Sequence, residues 1–170
     1  MKSIMIFLSL AVLLFSGCKY ESPLTEEHSI AIDSAVLGWW ERIPKEGEKA
    51  TQDDRMVILK YSDTEYLVSF PTGNNGTYFR AYPIKIGGVN CVQLQVIGDN
   101  DGSPAPYDLR FNVVSYQLAG DKLKIENINE ELVDDNLKTT YELRASFLKH
   151  KDNKELFNNA SVYRRIEEDS

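Results

Sequence analysis

The chain has 170 residues and a formal charge of −7, with 26 Asp and Glu against 19 Lys and Arg. No stretch clusters Lys and Arg, so the chain lacks what nucleic-acid phosphates require, and nucleic acid is not an expected partner. A hydrophobic fraction of 42% with 11% aromatics is that of a folded chain. Two His and two Cys supply neither a zinc cluster nor a disulfide framework.

The N-terminus has the order of an export signal. Lys2 is the positive residue, and Ile4 to Phe15 is almost unbroken Ile, Met, Phe, Leu, Ala and Val. That run is shorter than the ~20 apolar residues that span a bilayer. Ser16 and Gly17 are small and lead into Cys18. Small residues let a chain lie extended in a peptidase groove. Leu14-Phe15-Ser16-Gly17-Cys18 resembles the bacterial lipoprotein signal, or lipobox, with Phe15 where Leu is usual. The resemblance implies cleavage between Gly17 and Cys18, a diacylglyceryl thioether on Cys18, and an acylated new amine. Two or three such chains, at ~0.8 kcal/mol per buried CH2, hold a domain on a membrane permanently. Lys19 stands where inner-membrane retention favours Asp. The same resemblance therefore implies an outer-membrane lipoprotein facing the periplasm or the cell surface. An ordinary secretory signal with an incidental Cys and an uncleaved anchor are the alternatives. With lipid on Cys18, Cys91 has no partner for an intramolecular disulfide, and its place in an apolar strand marks it as a packed side chain.

In chain order, residues 1–17 form the signal, 18–34 a polar tether, and 35–170 one β-rich domain of a size that supports a single core. Val36 to Ile43 is a first strand stopped by Pro44, and Lys45 to Asp54 a charged loop. Arg55 to Tyr61 is a buried strand. Glu65 to Phe70 alternates, with Tyr66, Val68 and Phe70 on one face. Asn75-Gly76 closes a hairpin into a long strand from Thr77 to Ile86. After Gly87-Gly88, Val89 to Ile97 puts Val92, Leu94 and Val96 on one face and Cys91, Gln93 and Gln95 on the other. Leu109 to Leu118 and Leu123 to Ile128 complete about seven strands joined mostly by short turns, an antiparallel meander.

The period then changes to that of a helix. Leu137, Tyr141, Ala145 and Leu148 recur at helical spacing with Leu143 and Phe147 widening the stripe, Asp134, Asp135 and Asn136 offer N-caps, and Thr139-x-x-Glu142 offers a capping box. Lys149, His150 and Lys151 suit the C-terminal end. A short second turn over Leu156-Phe157 and a last strand from Ser161 to Ile166 follow.

One helix cannot cover such a sheet, so the expected architecture is mainly β: a curled barrel or a sandwich with a packed helix. Gly38-Trp39-Trp40 resembles the Gly-x-Trp of the first strand of lipocalins and related small barrels. That resemblance implies a Trp closing one barrel end under an Arg from near the C-terminus, here Arg164 or Arg165, and an interior that carries a small apolar ligand.

The face Tyr78, Arg80, Tyr82, Ile84 and Ile86 has three readings. Facing inward, Arg80 among aromatics anchors the acidic group of an apolar ligand. Facing outward, it forms a protein-contact surface. In the third, it is packing, with Arg80 snorkelling. Trp40, Tyr78, Arg80 and Tyr82 are thus the candidate ligand or contact residues. Gly98-Asp99-Asn100-Asp101-Gly102-Ser103 spaces oxygen donors like a calcium loop but lacks the remaining EF-hand positions and reads as a turn. No catalytic motif occurs: His28 falls in the tether, His150 at the helix end, and Gly-x-Ser-x-Gly is missing. Neither a cofactor nor a metal is expected. The expected function is that of a membrane-anchored binding or interaction module in the cell envelope. A carrier of an apolar ligand is the alternative, and an enzyme with a carboxylate site the third.

Overall fold

The computed structural model describes residues 20–102 and 110–167. The segment expected to be an export signal, with Gly17 and Cys18, and Ser103 lie outside the described residues. Among those described, eight strands close into an antiparallel barrel in simple chain order. They are β1 (Gly38–Arg42), β2 (Arg55–Lys60), β3 (Tyr66–Phe70), β4 (Thr77–Ile86), β5 (Val89–Asp99), β6 (Phe111–Ala119), β7 (Lys122–Ile128) and β8 (Phe157–Ile166), with helix α1 (Thr140–His150) between β7 and β8. Closure is made by β1, where Trp40 pairs with Met56 on one side and Arg165 on the other. A closed sheet has no unpaired edge, so the sandwich alternative is set aside.

Alternation decides which side chains fill the barrel. Trp40, Met56, Ile58, Tyr66, Val68 and Phe70 form the core with Phe79 and Ala81 of β4 and Val92 and Leu94 of β5. A second core lies on the outer wall, where Tyr82, Ile84 and Ile86 of β4, Cys91 of β5 and Val113 of β6 pack against Leu143 and Phe147 of α1. The helical stripe therefore buries Leu143 and Phe147, while Tyr141 is exposed. Gly87, at φ +59°, turns the β4–β5 hairpin beneath Leu148 of α1.

Several boundaries differ from the sequence expectation. The first strand starts at Gly38, because Asp33 accepts a hydrogen bond from Ala35 N and winds Ser34–Val36 into a 3-10 turn. The helix starts at Thr140 with the Thr139/Glu142 capping box formed, and Asp134 instead accepts bonds from Asn136. No second helical turn forms at Leu156-Phe157. Phe157 pairs with Ile128 and opens β8, with Asn159 at φ 53° beside a register shift between β7 and β8.

The expected tether is not free from Tyr20 onward. Tyr20 and Leu24 are both fully buried. Tyr20 N bonds Phe111 O at 3.0 Å, Tyr20 O accepts from Phe111 N at 3.0 Å, and its hydroxyl donates to Val133 O at 2.8 Å. Leu24 N and Thr25 N both donate to Gln93 Oε1, and Gln93 Nε2 donates to Thr25 O. Gln93 projects from the outer face of β5, where apolar packing alone leaves backbone groups unpaired; its amide supplies both donor and acceptor. The polar composition that marked a tether thus forms a strap on the barrel wall.

Candidate functional site

The barrel interior is nearly filled. Among the described residues, an apolar cavity of about 50 Å³ lies under Val36, lined by Met56, Ile58, Val68 and Leu94 with the rings of Tyr66 and Tyr116. An apolar cavity about three times larger, roughly 150 Å³, holds benzene. One end is closed by Trp40, whose Nε1 donates to Val36 O at 2.9 Å. Arg165 stacks over the Trp40 ring at 4.4 Å, and its Nη1 and Nη2 donate to Leu37 O at 2.7 Å and Ala35 O at 2.5 Å. Of the two Arg singled out in the sequence, Arg165 holds this position; Arg164 points to Glu41 on the outer wall at 2.6 Å. A Cβ on Gly38 would lie 2.9 Å from Arg165 Nη1, which is why a Gly precedes the plug. Trp40 is fully buried and is no contact residue. The buried Tyr163 hydroxyl has no hydrogen-bond partner among the described residues, and burial pushes its pKa up.

The face Tyr78–Ile86 points outward, so Arg80 is not an anchor inside the barrel. Phe79 and Ala81 take the inward positions of β4. Along that outer face the environment changes by residue. Ile84 and Ile86 lie under α1, Tyr82 lies under the strap and donates to Thr25 O at 3.3 Å, and Tyr78 donates to Asn100 Oδ1 at 2.7 Å. Asn100, from the loop with calcium-like spacing, also donates to Gly73 O at 2.8 Å and ties two loops together.

Arg80 meets a carboxylate of the chain itself. Its Nε bonds Glu65 Oε2 at 2.8 Å and its Nη2 bonds Glu65 Oε1, a two-pronged fork. His28 Nε2 lies 2.9 Å from Glu65 Oε1 and 3.3 Å from Arg80 Nη2, and Nδ1 faces Glu26 O at 2.9 Å. A proton on Nε2 donates to the Glu65 carboxylate. The His28 ring also packs on Tyr82 at 5.1 Å. Sequence reasoning missed Glu65, read as a strand end, and His28, read as tether. The hairpin register that pairs Leu67 with Arg80 also brings the start of β3 beside Arg80, and this was the available signal.

Around this cluster the wall is open. Register places Leu59, Leu67, Arg80 and Gln95 in one row across β2 to β5. Leu59 is 48% exposed and Tyr61 67% exposed. Exposed apolar and aromatic groups beside an Arg ion pair have the composition of a contact surface. Elsewhere, Cys91 is buried and its thiol pKa is pushed up to about 12 by desolvation, which keeps it protonated and inert.

The Arg80 fork holds the Glu65 carboxyl below its ordinary 4.5, against the opposing effect of burial. The folded state therefore binds fewer protons than the unfolded state in the acid range. Glu65 contributes its stability above about pH 4.5 and loses it as pH falls through the folded-state value. Glu65→Gln is expected to lower the urea midpoint near pH 6 and to flatten its decline between about pH 5 and pH 3. An unchanged acid slope would contradict this assignment.

Comparison with known protein-family models finds no match, and a search of curated proteins finds no similar one. The outer wall and the filled interior therefore carry the functional reading by themselves.

Proposed function

We propose that this chain is a lipid-anchored lipoprotein of the bacterial envelope, on the outer membrane facing the periplasm or the cell surface. Its barrel acts as a binding module through the outer wall of β2 to β4. One observation carries this reading: Leu59 and Tyr61 stand exposed beside the Arg80–Glu65 fork, while the apolar cavity under Val36 measures about 50 Å³. A module that binds on its surface needs a rigid scaffold, and a closed, filled barrel provides one. The signal that ends at Cys18 supplies the address. The second reading, a carrier of a small apolar ligand, is favoured by the wholly apolar cavity and requires it to widen several-fold.

Two measurements separate these readings. Cys18→Ser is expected to move the protein out of the membrane fraction and to abolish a lipid mass on its N-terminal peptide. If the wild-type peptide carries no lipid, the anchor is wrong. In-cell crosslinking is expected to join the barrel to an envelope partner, and Leu59→Glu with Tyr61→Glu to remove that product while Tm is retained. A bound apolar molecule in native mass spectra, with crosslinking unaffected by those substitutions, favours the carrier instead.

A further inference from the structure

The strap determines how far an anchor can stand from the barrel. From Tyr20 onward the chain is fastened: Tyr20 to Phe111 and Val133, Ser22 Oγ to Lys138 O at 2.7 Å, Thr140 Oγ1 to Pro23 O at 2.8 Å, and Leu24 to Gln93. Cys18 lies two residues before Tyr20, a reach of at most about 7 Å between Cα atoms at full extension. A polar tether over 18–34 lets a domain swing; a link of this length does not.

We infer that this barrel rests directly on the lipid surface, with the start of β6, the strap and the first turn of α1 as its membrane-facing side. The inference depends on the proposed lipid anchor at Cys18. The surface there fits the partner. Tyr141 is 82% exposed in the first turn of α1, next to the Thr140 that holds Pro23, and an aromatic ring with a polar tip suits the headgroup layer. Three of its charged neighbours are engaged within the protein, and Arg144, one turn further along α1, is exposed. Lys138 Nζ pairs with Glu21 at 2.6 Å, Glu142 completes the helix cap, and Asp134 accepts from Asn136. The short link itself carries the contact, so added salt and a label in place of the ring leave it in position.

The test uses the lipidated chain in vesicles of phosphatidylethanolamine with a minor share of phosphatidylglycerol. A fluorophore is placed by Tyr141→Cys, or by Asp121→Cys in the β6–β7 turn at the other end of β6, roughly 25 Å away. Selective labelling is available because Cys91 is buried with a thiol pKa near 12 and a lipidated Cys18 has no free thiol. Nitroxide on lipid headgroups is expected to quench the label at position 141 several-fold more than that at 121, at low and high salt alike. Equal quenching at the two positions overturns the inference while leaving the anchor intact. Inserting a flexible Gly/Ser segment between Lys19 and Tyr20 is expected to remove the difference. If the difference survives the insertion, the short link is not its cause and the inference fails. Mass spectrometry of the N-terminal peptide is read first: an unlipidated Cys18 refutes the anchor itself, and this inference with it.

Discussion

Trp40→Ala is expected to be the most damaging single change in the barrel, lowering stability by ~3–5 kcal/mol and Tm by roughly 10 °C for a domain of this size. The indole is fully buried at the closed end, donates to Val36 O, and supports the Arg165 guanidinium at 4.4 Å. Its loss opens a cavity between β1, β2 and β8 and removes a cation–π contact worth ~0.5–2 kcal/mol. Arg165→Lys separates these contributions. It keeps the plug but loses the fork that spans Leu37 O and Ala35 O, so a smaller loss of ~1–2 kcal/mol is expected. Chemical denaturation of both variants checks this. If Trp40→Ala unfolds within ~1 kcal/mol of the wild type, closure of the end does not depend on the plug.

The second large effect is expected at Gln93. Its amide serves Leu24 N, Thr25 N and Thr25 O and bonds the Tyr82 hydroxyl, all within a buried seam. Gln93→Leu fills the same volume but leaves those strap groups without partners, at ~1–3 kcal/mol for each buried group left unpaired. The strap has a route of escape that the barrel lacks: it peels into water, a local opening. Cleavage at Glu26 and Glu27 by a glutamate-specific protease is therefore expected to accelerate many-fold, with a fall of only a few degrees in barrel Tm. Unchanged cleavage would mean that packing of Tyr20 and Leu24, not the Gln93 amide, holds the segment.

The strands were legible where alternation is strict and one face is buried. Tyr66, Val68 and Phe70 face the interior as their spacing predicts, and so do Val92, Leu94 and Val96. The capping box at Thr139 and Glu142 was readable because its chemistry is local. The candidate contact residues were less so. Tyr78, Arg80 and Tyr82 share a face by spacing alone, but spacing does not say which side of a sheet is inside. The barrel's interior volume decides that, and it admits Phe79 and Ala81 in preference to the longer face. The Glu65 and His28 partners of Arg80 are 15 and 52 residues away, and no local pattern links them.

By itself, the sequence determined an acidic β-rich domain and one late helix, because short-range periodicity and residue type carry that information. Only the tertiary structure decided that the sheet closes, that Arg165 and not Arg164 covers Trp40, and that residues 20–25 are bound to the wall. The reason is common to all three. Each rests on contacts between residues more than 60 positions apart, where β1 meets β8 and Gln93 meets Leu24, and such contacts depend on the closed register of the whole barrel.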